Sequence, residues 1–221
     1  MLDEFGPFFA VATHGDERPS PPWRPLGELI DDRTRLDARV AKVRAALARH
    51  GDPEQVERRV AVSVAHLGLI ARLLAPQLAA DVLGRGNPSC ELDKLWWQDV
   101  LGGPFPLSAE ITGPTDVPDH SLTGTAAEQI TQSFAHRYAI APRVLWGNVG
   151  SAVNSAARQM ASRRPELADT VMRAADRLLG DPRVDDGLTR AGAGFRRRSC
   201  CLIYRLARSP SASCGDCVLR R

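Results

Sequence analysis

Apolar residues recur at spacings of three and four along most of the chain, the signature of helices with one buried face. Between residues 25 and 49 the apolar set is Leu26, Leu29, Ile30, Leu36, Val40, Val43 and Leu47, and the acidic pair Asp31–Asp32 interrupts it, which predicts a turn there. Gly51-Asp52-Pro53 breaks the pattern. Asp52 is placed to cap and Pro53 suits a first helical position, so a second helix is expected to run from there to about Val82, kinked at Pro76. The glycines and Pro88 of Gly84-x-Gly86-Asn87-Pro88 end it. Further helices are predicted at about 124–138, 141–162 and 165–179, with Pro142 and Pro165 near their starts. Strand signals are sparse: Leu107–Thr112, a run from Phe195 to Tyr204, and a segment around Lys94–Trp97 that reads equally as a helical turn. Residues 1–23 read as a short ordered start and then a loop, Gly113–His120 as loop, and no internal repeat is found. The pattern predicts a mainly α protein with a few short β-strands (α+β).

Composition adds limits. The chain has 221 residues, 43% hydrophobic and 25% charged, enough for one substantial core. The longest apolar stretch, residues 60–84, contains His66, Arg72, Gln77 and Asp81, so it is expected to be a buried helix and not a membrane span. A net charge of +3 is too small to imply nucleic acid. The first residues are acidic where a secretion leader is basic, so a cytoplasmic, reducing location is expected.

Cysteine placement changes the picture most. Four of the five cysteines, Cys200, Cys201, Cys214 and Cys217, fall in one short segment: an adjacent pair, twelve residues, then Cys-x-x-Cys. Four thiolates can close a metal site. A structural zinc usually takes two Cys-x(2–4)-Cys hooks, and neighbouring side chains in an extended chain point to opposite sides, so the adjacent pair serves a single small ion awkwardly. A stable disulfide is disfavoured in a reducing compartment. A thiol–disulfide motif at Cys214–Cys217 normally opens a helix. A [2Fe–2S] cluster needs four sulfurs, two at each iron, and a hook plus a separate pair can supply them. Gly215, inside the hook, is expected to admit amide groups close to the sulfurs. Cys90 stands apart and reads as an ordinary buried cysteine. Residues 196–221 also hold seven arginines against one acid, Asp216, a charge balance that would offset a negative cluster or form a docking face for an acidic electron donor.

Arg196-Arg197-Arg198-Ser199-Cys200-Cys201, the following Tyr204-Arg205, and Cys214-Gly215-Asp216-Cys217 together resemble the C-terminal signature of the FhuF-like ferric iron reductases, or siderophore-iron reductases. Leu145-Trp146-Gly147-Asn148 resembles that family's Trp-Gly-Asn helix. The family pattern places ten residues between the cysteine pairs; twelve stand here, and the extra length falls in a Ser/Pro/Ala stretch where a longer loop costs little. The resemblance implies a [2Fe–2S] protein of the cytoplasm that gives one electron to the iron of a ferric siderophore, commonly of the hydroxamate type. It implies cluster ligation by Cys200, Cys201, Cys214 and Cys217. Residues 1–195 are then a helical, substrate-binding body and 196–221 a small iron–sulfur lobe.

Other motifs are weak. Trp96 and Trp97 are adjacent, so one is expected to face inward and the other outward. Trp97, Arg196, Arg197 and Arg198 are the candidate substrate contacts, on a surface built from the cysteine segment and residues 92–97. Gly147 sits where a helix pays for glycine, which points to close backbone approach, either to the cysteine segment or in plain helix packing. His66 reads as a satisfied core residue, and His120 and His136 are faint candidates. Gly84-x-Gly86 lacks the third glycine of a dinucleotide site, so electrons are expected from a separate donor such as a ferredoxin, a flavodoxin or a flavin reductase. The competing functions are an iron–sulfur electron carrier or redox sensor, and a helical protein with a structural four-cysteine zinc.

Overall fold

The computed structural model describes residues 2–15, 17–112, 121–206 and 214–219. The loops expected at 113–120 and around 207–213, with His120, Arg208, Arg220 and Arg221, lie outside them.

Local signals set the helix bounds. The turn at the acidic pair is real: α1 spans Glu28–Asp31 and α2 Arg33–Ala48, and the Asp32 carboxylate caps α2 by accepting from the Thr34 amide at 2.8 Å. Asp52 also caps, but only a 3-10 turn over Pro53–Gln55; the long helix α3 begins later, at Arg58, and runs through Pro76 to Leu83. Gly84 closes it in the left-handed conformation, φ +60°, that glycine adopts without penalty. After α3 come α4 (Ala126–Arg137), α5 (Pro142–Arg163, with Pro142 in its first turn) and α6 (Ala168–Leu179). Thr125 caps α4 by accepting from the Glu128 amide.

The core lies around α3, which packs most extensively on α5 and also against α2, α4 and α6. Leu69, Ile70, Leu73 and Leu74 of α3 meet Leu145, Val149, Val153 and Met160 of α5 in one buried cluster. Each such side chain removed from water is worth about 1.5–3 kcal/mol. By length and composition α3 could cross a membrane, but most of it is buried inside the protein, as its polar residues predicted. His66 on this helix is fully buried. Its Nδ1 accepts from Asn148, its Nε2 faces the Thr131 hydroxyl at 3.0 Å, and burial with the charge of Arg197 pulls its pKa from 6.5 to about 3.

The strands form a small mixed sheet beside the helices. Its order is β1 (Ala12–Thr13), β5 (Leu107–Ala109), β4 (Leu95–Trp97) and β2 (Arg24–Pro25), with only the β1–β5 pair parallel; β3 (Asn87–Pro88) and β6 (Ile111–Thr112) make a separate antiparallel pair. The undecided segment is thus a strand, and Leu107–Thr112 is two. Register places Trp96 opposite Ser108 and Pro25, and Trp97 opposite Leu107 and Arg24. The parity turns Trp97 inward: it is 1% exposed, edge-on to Phe105 at 5.5 Å, beneath the Arg39 guanidinium, and donates to the Glu28 carboxylate at 3.1 Å. Trp97 is therefore a core residue and not a substrate contact; Trp96 is the half-exposed member of the pair.

Candidate metal centre

The run from Phe195 to Tyr204 is not a strand. Phe195, Arg197 and Ser199 are buried while Arg196 and Arg198 are exposed, the alternation of an extended chain, yet the surface it lies on is the first turns of α5 and not a neighbouring strand. The Ser199 hydroxyl donates to the Arg143 carbonyl at 2.8 Å, and the Arg197 guanidinium donates to the Val144 carbonyl at 3.1 Å and to the Ser199 carbonyl at 2.9 Å. The Arg197 amide reaches across to the Asp216 carbonyl at 3.1 Å, tying the two halves of the cysteine segment together.

Gly147 makes this docking possible. A Cβ there would stand 2.2 Å from Ser199 Oγ and 3.0 Å from Arg197 Nη2. Three residues on, a Cβ at Gly150 would press Val184 at 3.0 Å and Phe195 at 3.4 Å. The close approach is thus to the cysteine segment. The neighbouring Asn148 turns the other way, holding α3 through the Ser63 carbonyl at 3.0 Å, the Ser63 hydroxyl and His66. Two turns past Gly147, buried Asn154 donates to the Asp216 carboxylate at 3.4 Å and accepts from the Gly192 amide at 2.8 Å. The bracing roles of Asp216 and Asn154 are not legible in the sequence, whose only hint is a polar residue on α5 two turns past Gly147.

The segment gathers its sulfurs by two like turns. Leu202 adopts φ +69°, uncommon for a residue with a Cβ, and its amide then donates to Cys200 Sγ at 3.3 Å. The Leu219 amide donates in the same way to Cys217 Sγ at 3.3 Å. These leucine amides play the part expected of Gly215, where open space surrounds the position of a Cβ. Cys201 and Cys217 are buried; Cys200 and Cys214 are half-buried. The Cys201 and Cys214 sulfurs stand 3.4 Å apart. Their shared hydrogen bond pulls Cys201 down to about 6 and pushes Cys214 up, with Arg197 also favouring the Cys201 thiolate. Burial pushes the Cys200 thiol up, opposed by the Leu202 amide.

Two thiolates on one tetrahedral metal at about 2.3 Å lie about 3.7 Å apart, so Cys201 and Cys214 stand as a pair on one iron would. Among the described residues no three His, Cys, Asp or Glu side chains converge to hold a single ion. A two-iron cluster takes its four thiolates as two pairs, one at each iron. The donor set fits a [2Fe–2S] group.

The remaining expectations divide. Arg197 is 1% exposed and braces the segment from inside, so it does not meet a ligand at the surface. Arg196 and Arg198 are exposed, and Arg198 pairs with Asp186 at 2.6 Å. Leu92, Asp93 and Trp96 line a cleft with Glu28 and Asp31, and no residue of the cysteine segment is in its lining. The cleft that does adjoin this segment, of about 430 Å³, lies between it and the α2–α3 turn, lined by Leu47, Asp52, Val56, Glu57, Arg205 and Leu206.

Residues 197–219 match the family model of the FhuF 2Fe-2S C-terminal domain. No curated protein matches the chain.

Proposed function

We propose, from the match of residues 197–219 to the FhuF 2Fe-2S C-terminal domain, that the protein is a ferric-siderophore reductase in which Cys200, Cys201, Cys214 and Cys217 hold the cluster. That match supports a siderophore-iron reductase-like [2Fe–2S] protein; the reduction itself, its hydroxamate substrate, a cytoplasmic location and a separate donor protein are the further reading. The observation that carries it is the cysteine pair Cys201–Cys214, its sulfurs 3.4 Å apart, in a segment locked to α5 by Arg197 and Ser199.

When bound, the cluster supplies a single electron. The substrate's hard hydroxamate oxygens hold Fe(III) far more tightly than Fe(II), so one electron turns a tight complex into a weak one and no proton need move. The chain's own residues have three tasks. The Leu202 and Leu219 amides orient and stabilise the Cys200 and Cys217 thiolates. Half-exposed Cys200 and Cys214 leave an edge of the site open to solvent. We seat the ligand in the cleft between the α2–α3 turn and Arg205, the cleft that the segment itself helps to line. Its Glu57 and Asp52 carboxylates, with Arg205 already paired to Glu57 at 2.8 Å, suit a neutral or cationic complex better than a polyanionic one.

The test is Fe(II) release. Cluster-loaded protein, reduced and then freed of reductant, is mixed with ferric hydroxamate complexes under nitrogen while a ferrous chelator reports iron set free. One Fe(II) per reduced cluster is expected. Reduced protein that passes its electron to other proteins but frees no iron from any ferric siderophore would make it an electron carrier instead.

A further inference from the structure

Arg197 is a cation buried without an anion. It is 1% exposed, and among the described residues no carboxylate reaches it within ion-pair distance. The nearby acids are engaged elsewhere: Asp216 with Asn154, Asp185 with the Arg198 amide at 3.3 Å and Asp186 with the Arg198 side chain. An isolated buried charge is costly and is normally paired.

A second buried arginine shows how the fold otherwise handles such a charge. Arg72 spends all three guanidinium nitrogens on carbonyls, those of Phe105, Phe8 and Ala10. Arg197 spends only Nε and Nη2 that way; Nη1 donates to no acceptor among the described residues. Meanwhile its backbone ties it to Asp216, next to Cys217, and its guanidinium to Ser199, next to Cys200. Its charge acts on the Cys200, Cys201 and Cys214 thiols, favouring the thiolate of each.

We propose that Arg197 is the countercharge of the iron–sulfur site, fixed by α5 so that its charge and its free N–H stabilise the reduced form. Four thiolates with two ferric irons and two sulfides carry a net charge of about −2. One electron taken from a donor makes it about −3, the donor loses that electron, and no proton is transferred. A fixed cation favours the more negative state, so it raises the reduction potential. Unlike the exposed arginines, a buried one is little screened by salt. The basic flank thus contains one residue that sets the potential and others that do not. This inference rests on the cluster reading but not on the siderophore, so it stands or falls separately from the iron-release assay.

The test is an anaerobic titration of the holoprotein against a one-electron viologen dye, with the reduced fraction followed by visible absorption and EPR. Arg197→Gln is expected to shift the equilibrium toward oxidised cluster at least tenfold, about 59 mV for a one-electron couple. Arg197→Lys should stay within about threefold of the parent, and Arg198→Gln, exposed and paired with Asp186, within about twofold. Iron loading by the Lys variant but not the Gln variant would also support the proposal, because charge is then what the site requires. A loaded Arg197→Gln protein with the parent's potential overturns it, as does an equal shift in Arg198→Gln. Loss of iron in both Arg197 variants overturns it too, leaving Arg197 a brace only.

Discussion

Gly147→Ala should damage the protein at one place by a calculable amount. In an ordinary exposed helix interior the change is favourable by about 1 kcal/mol, since glycine is the poorer helix former. Here the new methyl stands 2.2 Å from Ser199 Oγ and 3.0 Å from Arg197 Nη2. The hydroxyl must swing away, losing its bond to the Arg143 carbonyl, about 1 kcal/mol. The guanidinium must give ground on its bond to Val144, a charged interaction worth about 1.5–3 kcal/mol, and overpacking adds about 1–3 kcal/mol where the segment cannot shift. If Arg197 keeps about half of its bond, the net expectation is a destabilisation of about 2–4.5 kcal/mol, with α5 still formed and iron content reduced. Urea unfolding followed by far-UV circular dichroism reads the first, and metal analysis the second. Ser199→Ala removes the worst clash in advance, so the double variant should be less unstable than the sum of the two by about 1 kcal/mol. If Gly147→Ala stabilises the protein as helix propensity alone predicts, and adds to Ser199→Ala without coupling, the docking argument fails.

Other outcomes follow from the same contacts. His66 has its pKa pulled to about 3, mainly by burial, against 6.5 unfolded. The unfolded chain binds the proton more readily, so the neutral ring's contribution is complete above pH 6.5 and is lost as pH falls toward 3. Between pH 7.5 and 5 that loss is about 2 kcal/mol, and denaturant titrations should show the slope shrinking by that amount in His66→Gln. Cys217→Ser should leave less than half the parent's iron, whereas Cys90→Ser should keep all of it; equal retention in both would remove Cys217 from the ligand set. Gly68→Ala, exposed in α3 with nothing within 4 Å of the new methyl, should stabilise the fold by about 1 kcal/mol and raise Tm by a few degrees, a rise that calorimetry measures directly.

Much of the helical order is visible in the chain because it is encoded locally. The caps at Asp32 and Thr125, the glycine after Leu83 and Pro142 at a helix start act within a few residues of themselves. The four cysteines are legible for a related reason: thiol chemistry is concentrated in one short segment. What fails is what depends on distant partners. Phe195–Ser199 has strand periodicity, but alternation records only that one side is covered, and here the cover is a helix. Trp96 and Trp97 are interchangeable in sequence; pairing with Leu107 and Arg24 decides which is buried. Arg197 looks like one of three surface arginines until the carbonyls of Val144 and Ser199 are brought to it. Gly147 lay between the two cases: its cost in a helix announced a close approach, and only the fold showed to what.

The spacing of Cys201 and Cys214 has a further consequence for the protein in air. Sulfurs 3.4 Å apart need little movement to reach the roughly 2 Å of a covalent S–S bond, and Cys201, whose pKa is pulled down by its hydrogen bond to Cys214, is the readier of the two to attack as a thiolate. Dioxygen that strips the iron can then take two electrons and two protons from the pair as hydrogen peroxide, closing a disulfide over the vacated position. Such a bond shields both sulfurs from irreversible oxidation while barring iron from returning. Air-bleached protein should therefore titrate two thiols short and accept iron again only after a thiol reductant. A preparation that shows its full complement of thiols after bleaching would mean that the pair drifts apart once the metal is gone.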